Sequence, residues 1–94
     1  MGYIRWDSDK NNELKAKRGV SFEEILVCLE NEQVLDIIRN PGTKRQDQMV
    51  FVVRLNNYVY YVPFVEDKEG VFLKTIIPSR KLLKRYLKER EGGE

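Results

Sequence analysis

The stretch MVFVVRLNNYVYYVPFV, residues 49–65, decides the fold. Met49–Leu55 and 58–65 are rich in β-branched and aromatic residues, which sit well on a pleated surface. Between them stand Asn56 and Asn57. Asparagine tolerates positive φ, the conformation that a two-residue hairpin turn demands. The reading is two antiparallel strands joined by a tight turn. Pro63 has no amide donor, so it marks an edge, a bulge or a strand end.

Working outward toward the C-terminus, 66–70 is a turn and 71–77 a last strand. Pro78 and Ser79 then open a final helix over 79–90, with Leu82, Leu83, Tyr86 and Leu87 on its apolar side. Arg80, Lys84 and Lys88 recur at four-residue spacing on another side, with Lys81 and Arg85 beside them.

Toward the N-terminus, 34–38 is a short strand, closed by the loop Asn40-Pro41-Gly42 and a polar run through Gln48. Before it, Ser21-Phe22-Glu23-Glu24 is a capping box, and Val20 is placed to staple to Ile25 across it. Phe22, Ile25, Leu26 and Leu29 recur at helical spacing, which predicts an amphipathic helix over 22–32. Tyr3–Trp6 reads as a strand, and Asp7 caps a first helix over 8–17 that Gly19 ends. That helix is nearly all polar and is expected to pack weakly. The element order is β-α-α-β-β-β-β-α. This is an α+β fold, with a mostly antiparallel sheet and helices on one face.

Ninety-four residues allow one domain, placed at 1–90, with 91–94 as a disordered tail. A hydrophobic share of 41% and a charged share of 34% describe a small core under a densely charged surface. The lone Cys28 reads as a small buried hydrophobe and rules out an internal disulfide. No secretory leader and no membrane-length apolar run is apparent, so the cytoplasm is the expected location, without membrane contact. The net charge of +2 is unevenly spread: 1–32 balances to −2, 33–70 to zero and 71–94 to +4. Positive charge gathered at one end points to a polyanion or an acidic partner.

The chain has no histidine, so neither a serine–histidine pair nor a histidine metal site can be built. No glycine-rich phosphate loop is present, and Glu23-Glu24 reads as a helix cap and dipole partner. Neither a metal nor another cofactor is called for. Cations and aromatics remain. Lys15, Lys17 and Arg18 gather at the end of the first helix, where they either answer its dipole or serve a site. Arg54 and Lys74 interrupt apolar strands and need a partner or an open sheet face. Of the tyrosines, including Tyr58, Tyr60 and Tyr61, most read as core.

RNA supplies its own nucleophile, the ribose 2′-hydroxyl. Cutting it requires a base, a donor to the leaving oxygen, and cations around the phosphate. Arginine clamps phosphate through paired hydrogen bonds. Lysine among other cations can move protons near neutrality, and tyrosine can stack on an unpaired base. This sequence holds every residue type that such a site needs.

Two segments also carry a family resemblance. Trp6-Asp7, Lys10-Asn11 and Lys17-Arg18-Gly19-Val20-Ser21-Phe22-Glu23-Glu24 resemble the opening of BrnT-type toxins, a Trp-Asp start leading to Lys-His-Gly-Val-Ser-Phe-Glu-Glu. Thr75-Ile76-Ile77-Pro78-Ser79-Arg80-Lys81 resembles their closing Arg-Ile-Ile-Ser-Ala-Arg-Lys. Arg18 stands where the family has histidine, and Thr75 where it has arginine. The resemblance implies a RelE-like fold and an RNA-cleaving toxin. It also implies a neutralising antitoxin from an adjacent gene, which supplies the promoter contacts of the complex. By position it assigns Lys17, Arg80 and Lys81 to the active surface; with the neighbouring cations this makes Lys17, Arg54 and Arg80 the catalytic candidates, and Lys15, Arg18, Lys81 and Lys84 the RNA-binding ones. Two other readings stay open: a non-catalytic gyrase inhibitor like the related ParE group, and a plain nucleic-acid-binding module. The cleavage reading requires that Lys17 and Arg80, from the first and last helices, converge beside the sheet.

Overall fold

Both turn asparagines adopt the left-handed conformation, Asn56 at φ 54° and Asn57 at φ 61°, and Leu55 pairs with Tyr58 across them. The computed structural model describes residues 3–39 and 48–88. In chain order these form β1 (Tyr3–Trp6), α1 (Ser8–Arg18), α2 (Phe22–Glu30), β2 (Val34–Arg39), β3 (Met49–Leu55), β4 (Tyr58–Asp67), β5 (Gly70–Leu73), β6 (Ile77–Pro78) and α3 (Arg80–Leu83). The last helix widens into a π-helical turn over Lys84–Lys88. The loop expected at Asn40-Pro41-Gly42 and the tail 91–94 lie outside the described residues. Among the described residues no helix is long and apolar enough to cross a membrane.

The sheet runs β1-β5-β4-β3-β2, with β6 also paired to β4. All pairs are antiparallel except β1 with β5. The protein is thus an α+β fold with a mostly antiparallel, mixed sheet.

The helix starts follow their sequence signals. Asp7 accepts the Lys10 amide at 3.0 Å, Ser21 and Glu24 form the reciprocal capping box, and Ser79 accepts the Leu82 amide. Gly19 ends α1 at φ 66°. As expected for its polarity, α1 buries only Asn11 and Leu14.

The expected last strand, 71–77, is broken in two. β5 pairs with the C-terminal part of β4 and β6 with Tyr60 and Tyr61, one residue out of register, so 74–76 form a bulge. Pro63 explains the break. Its carbonyl accepts the Lys74 amide at 2.8 Å, so the missing Pro63 donor faces the bulged segment, where no regular ladder bond is lost.

The helices do not share one face, contrary to the sequence expectation. Phe22, Ile25 and Leu14 from α1 and α2 pack with Phe51, Val53, Val62, Phe64, Leu73 and Ile76. Leu82, Leu83 and Tyr86 pack with Val50, Val52, Val59 and Tyr61. Alternate residues of a strand point to opposite faces, so α3 covers the face opposite α1 and α2. The reason lies in β3, where Val50, Phe51, Val52 and Val53 are all buried. A strand apolar at every position must be covered on both sides. A bulge between Val34 and Asp36 also turns Leu35 and Asp36 together toward the α3 face, where Asp36 accepts the Tyr86 hydroxyl at 2.8 Å.

Candidate nucleic-acid interface

The basic residues of the two ends have different surroundings. On α1, Lys15 pairs with Glu23 at 3.7 Å and Lys17 with Glu13 at 3.9 Å. Arg18 donates to the Ile76 carbonyl at 3.2 Å. The end of α1 is therefore tied to carboxylates and to the β5–β6 bulge. The carboxyl of Glu13 is held below its ordinary range by its hydrogen bond and charge attraction with Lys10, then by Lys17. Asn11, Lys15 and helix-start amides act likewise on Glu23, the Asn11 hydrogen bond most strongly.

On the other face, Arg80, Lys81, Lys84 and Arg85 are exposed. The ion pairs of the described residues engage Arg5, Lys10, Lys15 and Lys17, and none engages these four. Arg85 lies over the Tyr86 ring, 5.8 Å from its centroid. Leu82, Leu83 and Tyr86 face the sheet, so the packing that fixes the helix also turns its cations outward.

Arg54 belongs to this same face. It follows Val50 and Val52 at two-residue steps along β3, and its guanidinium donates to Asn57 Oδ1 at 3.2 Å. Arg54 pairs with Val59, whose carbonyl in turn accepts the Ser79 amide at 3.0 Å. Two strand spacings, about 10 Å, thus separate Arg54 from the start of α3. Lys74 is exposed just after β5, and Thr75 beside it is half-buried.

The catalytic candidates are therefore divided. Arg54 and Arg80 share the α3 face with Lys81 and Lys84, whereas Lys17, Lys15 and Arg18 belong to a helix on the opposite face. The expected convergence of Lys17 and Arg80 over one face does not occur. The burial of β3 on both sides sends α1 and α3 to different layers. Sequence reading grouped the cations by charge and missed this partition, although the unbroken apolar run Val50–Val53 carried the signal.

A separate pocket of about 360 Å³ opens on the α1–α2 side, beside the hairpin turn. Glu24, Val27 and Cys28 line it from α2, with Gln33, Leu55 and Asn56 opposite. Arg54 borders it through main chain, since its carbonyl accepts from Cys28 Sγ at 3.5 Å. Burial, and then the nearby Glu24 charge, push the Cys28 thiol up. Cys28 is buried and packs within the core on this side of the sheet.

Comparison with family models, with curated proteins and with solved structures returned no match.

Proposed function

We propose that this protein is an RNA-cleaving toxin of a toxin–antitoxin pair, with its phosphate-binding surface on the α3 face of the sheet. The observation that carries the reading is the exposed row Arg80, Lys81, Lys84 and Arg85, without carboxylate partners among the described residues, on the same face as Arg54. Exposed cations that neutralise phosphates release the counterions of a polyanion, which favours binding. The toxin reading rests further on the resemblance of 6–24 and 75–81 to the BrnT-type opening and closing segments.

Because α1 and α3 do not converge, this reading gives up the expected role of Lys17: Arg54 and Arg80 clamp the scissile phosphate and stabilise its growing negative charge. The ribose 2′-oxygen attacks phosphorus and the bond to the 5′-oxygen breaks, leaving a cyclic phosphate and a free 5′-hydroxyl. Lys81 and Lys84 hold the flanking phosphates, while a water molecule takes the 2′-hydroxyl proton and the leaving 5′-oxygen gains one from solvent. A cognate antitoxin neutralises the protein by covering these cations, and contact with DNA comes only through that complex.

Expression in a bacterial host tests the proposal. Growth arrest with fragmented RNA, relieved by the product of the neighbouring gene, is the expected result. Arrest with intact RNA and damaged DNA supports a gyrase-directed inhibitor instead. Salt-sensitive RNA binding without arrest or cleavage leaves a plain nucleic-acid-binding module.

A further inference from the structure

Residues 19–38 contain Glu23, Glu24, Glu30, Glu32 and Asp36 and not one lysine or arginine. Glu23, Glu24 and Glu30 belong to α2, on the layer opposite the basic α3, whereas Asp36 faces α3. In the midst of α2, Val27 is 52% exposed, an apolar side chain at the lip of the pocket beside the hairpin turn. Glu23 is engaged by Asn11 and Lys15, and Glu24 Oε1 accepts from the Ser21 amide and hydroxyl in the capping box; no described ion pair engages Glu24, Glu30 or Glu32, so Glu24 keeps its charge and its second oxygen for a ligand. The pocket thus combines apolar walls, Val27 and Leu55, with the Glu24 carboxylate and the amides of Gln33 and Asn56. The nearest strand cation, Arg54, sends its guanidinium to Asn57 on the other face.

A long aliphatic stem ending in a positive charge matches this combination. Lysine and arginine bury such stems against apolar surface while keeping the charged head among polar groups. A polyanion is repelled here, and an uncharged apolar ligand leaves the acidic rim without a partner. We propose that the pocket between α2 and the hairpin turn docks a basic segment of a protein partner. The stem of one of its lysines or arginines lies against Val27 and Leu55, with the charge beside Glu24. The site is independent of the RNA reading, because it opens on the opposite layer from α3.

The test is an NMR titration of the isotope-labelled full chain with a short peptide, acetyl-Leu-Lys-Leu-Lys-Leu-Lys-amide, and with its counterpart carrying glutamate for lysine. Shifts centred on Val27, Cys28, Leu55 and Asn56, produced by the lysine peptide alone, are expected. Val27→Arg places a cation at the exposed lip and weakens the peptide about tenfold, the equivalent of one lost charged contact. Glu24→Gln keeps an acceptor for the capping box and loosens binding by a similar factor of about ten. RNA affinity is unchanged in both variants. Equal shifts from the glutamate peptide, shifts centred elsewhere, or undiminished binding by Val27→Arg would overturn the proposal. Concentration-dependent shifts of the same residues without peptide, lost in Lys81→Glu, would also overturn it, by assigning the pocket to α3 of a second copy.

Discussion

Asn11 Nδ2 donates to Glu23 Oε1 at 2.8 Å, while Asn11 Oδ1 accepts the Phe22 amide at the same distance. One buried amide side chain on α1 thereby holds the first residues of α2, and the two polar helix starts are locked together.

Asn11→Ala leaves the Phe22 amide buried without a partner and should cost about 2–3 kcal/mol. Asn11→Asp restores the acceptor but sets a second carboxylate against Glu23, so its defect should ease as the medium is acidified. Urea unfolding of both variants at neutral and mildly acidic pH checks this. Equal stability of Asn11→Ala and the parent chain would remove Asn11 from the account.

Lys17 and Arg80 should behave differently, because they stand on opposite layers. Arg80→Ala and Arg54→Ala should each weaken a single-stranded RNA roughly tenfold and flatten the salt dependence by about one phosphate contact. Lys17→Ala should leave both quantities unchanged. Fluorescence anisotropy across a salt series measures both quantities. A large loss in Lys17→Ala with none in Arg80→Ala would move the interface to α1.

Tyr86→Phe removes the hydroxyl bond to Asp36 that ties the π-helical turn to the β2 bulge. The bond is exposed, so the global cost should be small, about 0.5–1 kcal/mol. The local effect should be larger, with faster tryptic cleavage after Lys84 and Arg85. Unchanged cleavage would mean that Leu82 and Leu83 alone fix the turn.

Stability should respond to pH mainly at the extremes, since no histidine is present. Asp67 is held below its ordinary range chiefly by its hydrogen bond from Arg5, and Glu13 and Glu23 are lowered by their own partners. Groups with depressed folded values stabilise the fold above their ordinary values, and that contribution fades as pH falls through and below the carboxylate range. On the alkaline side, burial raises Cys28 and Tyr60. The fold should then weaken as pH climbs past the ordinary thiol value of 9.0, where the unfolded chain ionises first. Melting curves across the pH range should show a plateau near neutrality. In Arg5→Ala, the acid-side slope should be shallower.

Much of the local structure was legible because its causes are local. The caps at Asp7, Ser21 and Ser79, the left-handed Gly19 and the Asn56–Asn57 turn each depend on a few neighbouring atoms. The split of the last strand was half legible. Pro63 announced an irregularity, but only its pairing with the Lys74 amide shows that β5 and β6 absorb it. The candidate interface was legible in composition alone. Arg80, Lys81 and Lys84 stood out as a basic row, and the Glu13–Lys17 pair stood at helical i,i+4 spacing, whereas nothing near Lys17 in the chain told that its helix lies in the other layer.

The sequence by itself determined the strands, helix starts and turns, because side-chain volume, backbone φ and missing amide protons act over a few residues. Only the tertiary structure decided which cations share a surface. Val50 and Val52 look one way and Phe51 and Val53 the other, so helices were needed in both layers. Which helix took which layer depended on long-range packing, and that assignment put Arg54 with Arg80 and left Lys17 behind.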